Sequence, residues 1–313
     1  MSRLAVVAVG GNSLISDSEH ESIPDQFAAV AETSRHIIDM IEEGWNIVVT
    51  HGNGPQVGFI LRRSEIAASE VSPVPMDYAG ADIQGAVGYM FQKALHNELG
   101  TRGIDRQVAT IVTQTLVDRG DPSFSDPTKP IGSYMEERVA LVQAEKNNWS
   151  VIEDAGRGWR RVVPSPFPLR IIELEAISAL KDAGFIVICC GGGGIPVVED
   201  ENAILKGVEA VIDKDLASSV LAQDLSADTF VVATSVERVA INFNKPDQRW
   251  LNTVSVSEAE EYLAAGHFLK GSMEPKVRAI VRFLRSGGNA GLVTDPPNLG
   301  RALRGDAGTR FTR

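Results

Sequence analysis

Six short runs of the chain, residues 4–9, 46–50, 108–113, 185–190, 229–233 and 290–294, are apolar at nearly every position. A strand with one wet face alternates apolar and polar residues, whereas a strand covered on both faces reads as a continuous β-branched run. Between these runs lie segments with helical spacing of their apolar residues, at 25–43, 56–69, 82–99, 169–183, 215–225, 257–265 and 274–286. Strand and helix in alternation predict an α/β fold with a mostly parallel sheet, helices on both of its sides and right-handed crossovers.

One stretch breaks the rhythm. Residues 123–164 carry prolines at 127, 130 and 164, a short helix-like piece at 134–145 and two brief strand-like pieces at 150–153 and 159–163. This pattern predicts a small inserted subdomain protruding from a single domain that spans 1–313, placed as a lid or an oligomer contact. Its six Lys/Arg and six Asp/Glu residues balance, so it is no basic arm for nucleic acid.

Composition narrows the function classes. The 313 residues are 43% hydrophobic and 23% charged, values of an ordinary globular chain with enough apolar surface for a large core. The net charge of -11 is opposite in sign to what a phosphate backbone selects, so nucleic acid is not expected as a partner. No apolar stretch approaches the roughly 18 residues of a membrane span, and the first is too short for a signal-peptide core, so neither membrane nor export is expected and a cytoplasmic location is. Cys189 and Cys190 are adjacent inside an apolar run. Neighbouring strand residues point to opposite faces, so two buried reduced thiols are expected rather than a disulfide.

Glycines gather where the strands end: Gly10 and Gly11 before Asn12, then Gly52, Asn53 and Gly54, then the run 191–194 that contains Gly192 and Gly193. In a parallel sheet these ends share one edge, the edge at which open α/β sheets bind ligands. Glycine lets a phosphate or carboxylate approach backbone N–H groups that a Cβ would screen, and a following helix adds its N-terminal dipole. Neither the P-loop signature nor the dinucleotide fingerprint is present, so a different phosphate-handling architecture is required. Each loop taken singly also reads as a tight turn.

An acidic protein that handles phosphate needs local cations, and three lysines stand in unusual settings. Lys214 lies between Asp213 and Asp215 at a helix start, Lys276 follows Ser272 and Met273 at another, and Lys129 sits in a Pro-flanked turn. Each alone reads as a solvated surface lysine; together they have the makings of a clamp for the equatorial oxygens of a transferring phosphoryl group. The five histidines show no metal-ligand spacing, so no zinc site is expected. His51 reads either as a substrate contact or as a hydrogen-bonded turn histidine. Gln84, Gly88 and Gln92 share a helix face that is either a substrate wall or a close-packing seam.

In order along the chain, Val9-Gly-Gly-Asn-Ser-Leu, Thr50-His-Gly-Asn-Gly-Pro-Gln-Val-Gly58, Asp126-Pro-Thr-Lys-Pro-Ile-Gly132, Arg161-Val-Val-Pro-Ser-Pro166, Gly191-Gly-Gly-Gly-Ile-Pro196, Val211-Ile-Asp-Lys-Asp-Leu-Ala-Ser218, Asn242-Phe-Asn-Lys-Pro-Asp-Gln248 and Gly271-Ser-Met-Glu-Pro-Lys276 resemble the carbamate kinases of the amino acid kinase family. The resemblance runs from about residue 3 to the C-terminus. It implies a three-layer αβα sandwich, acetylglutamate-kinase-like, with a protruding subdomain, and a homodimer. The implied reaction is reversible phosphoryl transfer between carbamoyl phosphate plus ADP and carbamate plus ATP, with Mg2+ carried on the nucleotide and the flux towards ATP in catabolism. Lys129, Lys214 and Lys276 match the phosphate-binding lysines and Asp215 the acid that organises them. Gly10, Gly11, Asn12, Gly52, Asn53, Gly54, Gly192 and Gly193 match the phosphoryl cradle, and Asp213, Ser272 and Met273 the nucleotide side.

Three departures from the family pattern stand out. Glu274 occupies a position where glycine is usual, either as a first-turn acid behind a Ser272 N-cap or as a weakened phosphate site. Thr234-Ser-Val-Glu-Arg238 replaces Thr-Asp-Val-Asp-Gly near the nucleotide, and residues 76–84 differ beside the substrate helix. Two further readings remain open on these grounds: a kinase for another small carboxylate or carbamate-like acid, and a dimeric binding or regulatory homologue without turnover.

Overall fold

The computed structural model describes residues 3–11, 14, 19–154 and 156–313. Eight of the described strands form one sheet, in the order β15 (Thr253–Ser255), β17 (Thr309–Thr312), β16 (Ala290–Thr294), β12 (Thr229–Ala233), β1 (Arg3–Val9), β2 (Trp45–His51), β9 (Ile186–Ile188), β3 (Val108–Thr110). Six of these run parallel; β17 is antiparallel to β16, and β15 follows β17.

The continuous apolar runs have the predicted cause. Along β1, Ala5, Val7 and Val9 enter one core while Leu4, Val6 and Ala8 enter another, because successive side chains point to opposite faces. The first core is covered by α1 (Ile23–Glu42), α2 (Gly54–Ala67), α3 (Met76–Arg102) and α9 (Leu299–Arg304). The second is covered by α5 (Leu174–Asp182), α6 (Lys214–Asp224), α7 (Val256–Ala264) and α8 (Met273–Arg285). Two helical layers around one sheet make the αβα sandwich.

A second sheet, ordered β11 (Leu205–Gly207), β10 (Ile195–Glu199), β4 (Gln114–Val117), β8 (Pro168–Ile171), stands at the glycine-bearing edge. It corrects two sequence expectations. The run 108–113 is not one strand: β3 stops at Thr110, because the Gln84 amide takes both backbone groups of Thr113 (N–H to Oε1 2.7 Å, Nε2 to C=O 2.9 Å) and the chain turns into β4. The helix expected from residue 169 begins only at Leu174, since Pro168–Ile171 pairs with β4. Gln84 and Gly88 thus form a packing seam. A Cβ on Gly88 would lie 2.3 Å from Thr110 Cγ2.

Within 123–164 the chain forms an antiparallel sheet of β5 (Lys129–Met135), β7 (Trp159–Val163) and β6 (Ser150–Glu153), with α4 (Glu137–Asn147) beside it. The helix expected from 134 starts at Glu137 because β5 continues through Tyr134 to Met135. Lys129 is therefore the first residue of a strand rather than part of a turn. A small hairpin of β13 (Ala240–Ile241) and β14 (Arg249–Trp250) completes the described strands. Among the described residues no helix is long and apolar enough to cross a membrane.

Candidate active site

Strands β1, β2 and β9 are neighbours and parallel, so their glycine-bearing ends meet. Gly10 N–H donates to Ala233 C=O (2.9 Å) and Gly52 N–H to Val9 C=O (3.0 Å). A Cβ on Gly52 would sit 3.1 Å from Gly11 N and 3.6 Å from Lys214 Cδ, so the first two loops touch and the Lys214 stem lies against them. Gly11 and Gly54 have open space where a Cβ would stand. Asn12 lies outside the described residues.

The third loop differs in kind. Cys190, Gly192, Gly193 and Gly194 all have positive φ, and residues 191–193 are buried. A Cβ on Gly192 would meet Asn53 Nδ2 at 2.1 Å, and one on Gly193 would meet Ile212 C=O at 2.7 Å. Glycine is needed there to let the Asn53 loop and the chain entering α6 close over the strand ends, so Gly192 and Gly193 shape the cradle from beneath. Cys189 and Cys190 are free and buried, and burial foremost pushes the Cys189 thiol well above its usual range, which disfavours its thiolate.

The lysines converge on two acids. Lys214 Nζ donates to Asp215 Oδ1 (2.5 Å) and Lys276 Nζ to Asp215 Oδ2 (3.1 Å), with side-chain exposures of 10%, 4% and 15% for Lys214, Asp215 and Lys276. Lys129 Nζ, at the start of β5, reaches Asp213 Oδ2 at 3.5 Å. The other Asp213 oxygen accepts from the N–H groups of Asp215 (3.0 Å) and Leu216 (3.3 Å), making it the N-cap of α6. Burial would raise the Asp215 carboxyl, but the two ammonium groups override it and hold it below its ordinary value. Burial is the largest influence on Lys214 and lowers it; Asp215 opposes this and Lys276 adds to it.

Lys214 and Lys276 each lie in the first turn of a helix, where the positive end of the dipole disfavours a cation. Two cations at the wrong helix ends, sharing one acid, are costly for stability alone. They suit an incoming polyanion, whose charge both the ammonium groups and the positive helix ends favour. Beneath them, Ser218 Oγ donates to Lys214 C=O (2.6 Å) and contacts Thr50 Oγ1 (2.6 Å), tying the first turn of α6 to β2.

His51 is the turn histidine, not a reactive one. It is buried, Nδ1 lies 2.9 Å from Gly52 C=O, and its ring stacks on Phe91 at 5.9 Å. Burial first, and Lys214 besides, lower its pKa to about 4 against the pull of the Gly52 carbonyl, so it is neutral at pH 7.

A cavity of about 160 Å3, lined among others by Val236, Arg238, Phe243, Trp250, Phe268 and Met273, adjoins the start of α8. Ser272 also lines it, one turn before Lys276. An apolar, aromatic slot one helical turn from Lys276 has the form of a base pocket. Sequence reasoning assigned Ser272 and Met273 to the nucleotide and missed Phe243 and Trp250. The signal was present in the motif 242–248, but no chemistry marks an aromatic as a base platform until the hairpin folds it back.

Glu274 turns away from Lys276, which favours the first-turn acid. Ser272 stands at the N-cap position but its hydroxyl makes no capping bond, which corrects that part of the expectation. Glu274 instead turns along the helix to Arg278, with Oε1 2.8 Å from the guanidinium. Lys276 is two positions on, across the helix from that face. Glu274→Gly is therefore expected to change ADP affinity less than threefold and to cost only about 1 kcal/mol of stability, chiefly glycine's helix penalty. Calorimetric titration with ADP beside urea unfolding checks both; a tenfold tighter ADP would place the acid at the phosphates.

The amino acid kinase family model matches residues 3–295. The chain belongs to the amino acid kinase family and is a phosphotransferase. It is 48% identical to the carbamate kinase of Thermococcus kodakarensis, with 98% of each chain covered, and 49% identical to the carbamate kinase-like protein YqeA of Escherichia coli, with 99% of each covered. Among solved structures, the carbamate kinase of Giardia lamblia bound to AMP-PNP superposes with a TM-score of 0.94 at 40% identity, covering 99% of this chain and 98% of that one.

Proposed function

We propose that this protein is a carbamate kinase, transferring a phosphoryl group reversibly between carbamoyl phosphate and ADP. The observation that carries the proposal is the buried Lys214–Asp215–Lys276 cluster at two helix N-termini beside the glycine loops. The names of relatives at 45–49% identity over nearly the whole chain point the same way.

Carbamate is an anionic nucleophile, so attack on the terminal phosphoryl group requires no general base, which accords with a neutral, engaged His51. Catalysis then rests on alignment and charge. The nucleotide base lies in the slot of Phe243, Trp250 and Met273; its phosphates run to Lys276 and Lys214, and the transferring group sits over Gly10, Gly11, Gly52, Asn53 and Gly54. Lys129 brings a third ammonium from the insert, which serves as the cover of the acyl phosphate. Asp213 and Asp215 are both engaged by lysines, so Mg2+ enters on the nucleotide's own phosphate oxygens and supplies further charge neutralisation there. Flux towards ATP follows from the mixed-anhydride character of carbamoyl phosphate. A homodimer belongs to the same proposal, favoured by exposed Tyr78 and Tyr89 on α3, which packs on edge strand β3.

A coupled assay for ATP from ADP and carbamoyl phosphate tests the proposal. Turnover that saturates in both substrates is the expected result. Activity confined to other acyl phosphates would reassign the substrate, and ADP binding without turnover would make the chain a binding homologue.

A further inference from the structure

The insert meets the rest of the chain through one face of its small sheet. Across β5 and β7, Lys129 pairs with Val163 and Ile131 with Arg161, and residues two apart along a strand or opposite across a pair point the same way. Lys129, Ile131, Arg161 and Val163 therefore share a face. Ile131 and Val163 are buried in the first core with Val57 and Leu61 of α2, so that face is the inner one. Its two charged members reach a single segment, the stretch 208–213 that leads into α6: Lys129 Nζ lies 3.5 Å from Asp213 Oδ2, and Arg161 Nη2 donates to Glu209 Oε2 at 3.1 Å. In the same stretch Val211 N–H donates to Pro164 C=O at 3.0 Å.

Arg161 differs from an ordinary surface partner. Its side chain is only 13% exposed, and its guanidinium lies over the Trp149 ring of the insert, 4.6 Å from the centroid. Stacking fixes the plane of the guanidinium fork, and the fork fixes where Glu209 is held. Arg161 and Trp149 also line both cavities, of about 270 and 480 Å3, that open between Gln143 of α4 and Leu61 and Glu65 of α2. These gaps leave the angle of the insert to a small set of contacts, of which this ion pair is one.

We propose that Arg161 is a positioning residue for phosphoryl transfer: its hold on Glu209 sets the angle of the insert and thereby places the Lys129 ammonium over the cradle. It touches no substrate and acts through Lys129. The link is short and stiff, running two residues along β7 to Val163 and across the ladder to Lys129. A misplacement of about 1 Å can cost on the order of 100-fold in rate, so a contact outside the cradle has leverage on it. The inference rests on the carbamate kinase reading with Lys129 as its third ammonium.

The test measures kcat and both KM values for ATP formation in Arg161→Ala, Arg161→Lys, Glu209→Ala, Lys129→Ala and the double variant of Arg161→Ala with Lys129→Ala. In Arg161→Ala, kcat should fall on the order of 10- to 100-fold with the KM for ADP within about twofold of native, because the base pocket lies at the start of α8 and not at the insert. Arg161→Lys keeps the charge without the stacked fork and should regain part of the rate, while Glu209→Ala should lose rate in the same direction. A group that acts through Lys129 adds nothing once Lys129 is gone, so the double variant should match Lys129→Ala within about threefold. A role in stability alone would show in the urea midpoint and leave kcat per folded molecule native. A kcat within about threefold of native in Arg161→Ala overturns the proposal, as does a native kcat in Glu209→Ala where the first variant does not fold; losses that multiply in the double variant overturn it too. With Lys129→Ala slow, each of these outcomes leaves the kinase reading standing. A native kcat in Lys129→Ala strikes the premise instead, and no ATP from carbamoyl phosphate in the native protein strikes the kinase reading and this inference with it.

Discussion

Asp215→Ala is expected to shift the urea unfolding midpoint by an amount equivalent to about 3–5 kcal/mol, the cost of stranding buried charges by removing their partner. The substitution leaves Lys214 and Lys276, at 10% and 15% side-chain exposure, facing each other with no acid between them. Asp215→Asn keeps the shape but not the charge and should recover only a minor part of the loss. The sign with pH follows from the lowered carboxyl: its contribution is complete above the ordinary value of 3.8 and is lost as pH falls through the depressed folded-state value. The native protein should therefore weaken in acid more steeply than Asp215→Asn. A change below about 1 kcal/mol in the alanine variant would mean that the lysines repel little and find water instead.

Lys214→Ala is expected to lower kcat by about 10²- to 10³-fold while the circular dichroism spectrum and the unfolding midpoint stay close to native, since Asp215 keeps Lys276 as partner. The loss should fall on kcat more than on the KM for ADP, because a preorganised cation acts where charge develops in transfer. The ammonium form is the working form, and burial lowers the Lys214 pKa from 10.5. Activity should thus fade on the alkaline side at a lower pH than an ordinary lysine would dictate. Lys214→Arg, which stays charged, should flatten that limb at reduced rate. A kcat within threefold of native in Lys214→Ala would remove this residue from the chemistry.

Much of this was legible in the chain itself. Doubly covered strands announce themselves as unbroken apolar runs, and β12 and β16 have the boundaries read from sequence. Lys214 and Lys276 stood out because each follows a helix-start signal that ought to repel it, and Lys129 because prolines flank it. What stayed hidden was set by contacts distant in sequence. The second sheet depends on Gln84 intercepting Thr113, 29 residues away, and on the short strand Pro168–Ile171 pairing with β4 where local periodicity favours helix. Asp213 looked like one more acid beside a lysine; only the folded chain splits its oxygens between the cap of α6 and Lys129. Glu274 could not be judged without its direction, which Arg278 decides.

The doubly apolar strands carry a hazard that their ends remove. With both sides of β1 equally greasy, sliding it one position against β2 or β12 would exchange one oily surface for another, so hydrophobicity alone guards its alignment poorly. A Cβ at position 10 would lie 3.0 Å from Ala233 C=O, and one at position 52 would lie 3.1 Å from Gly11 N. A slip that brought Val9 to position 10, or His51 to position 52, would collide. The residues that open the cradle to an anion therefore also act as detents for the central strands, so enlarging them should produce misaligned chains during folding as well as a blocked cradle.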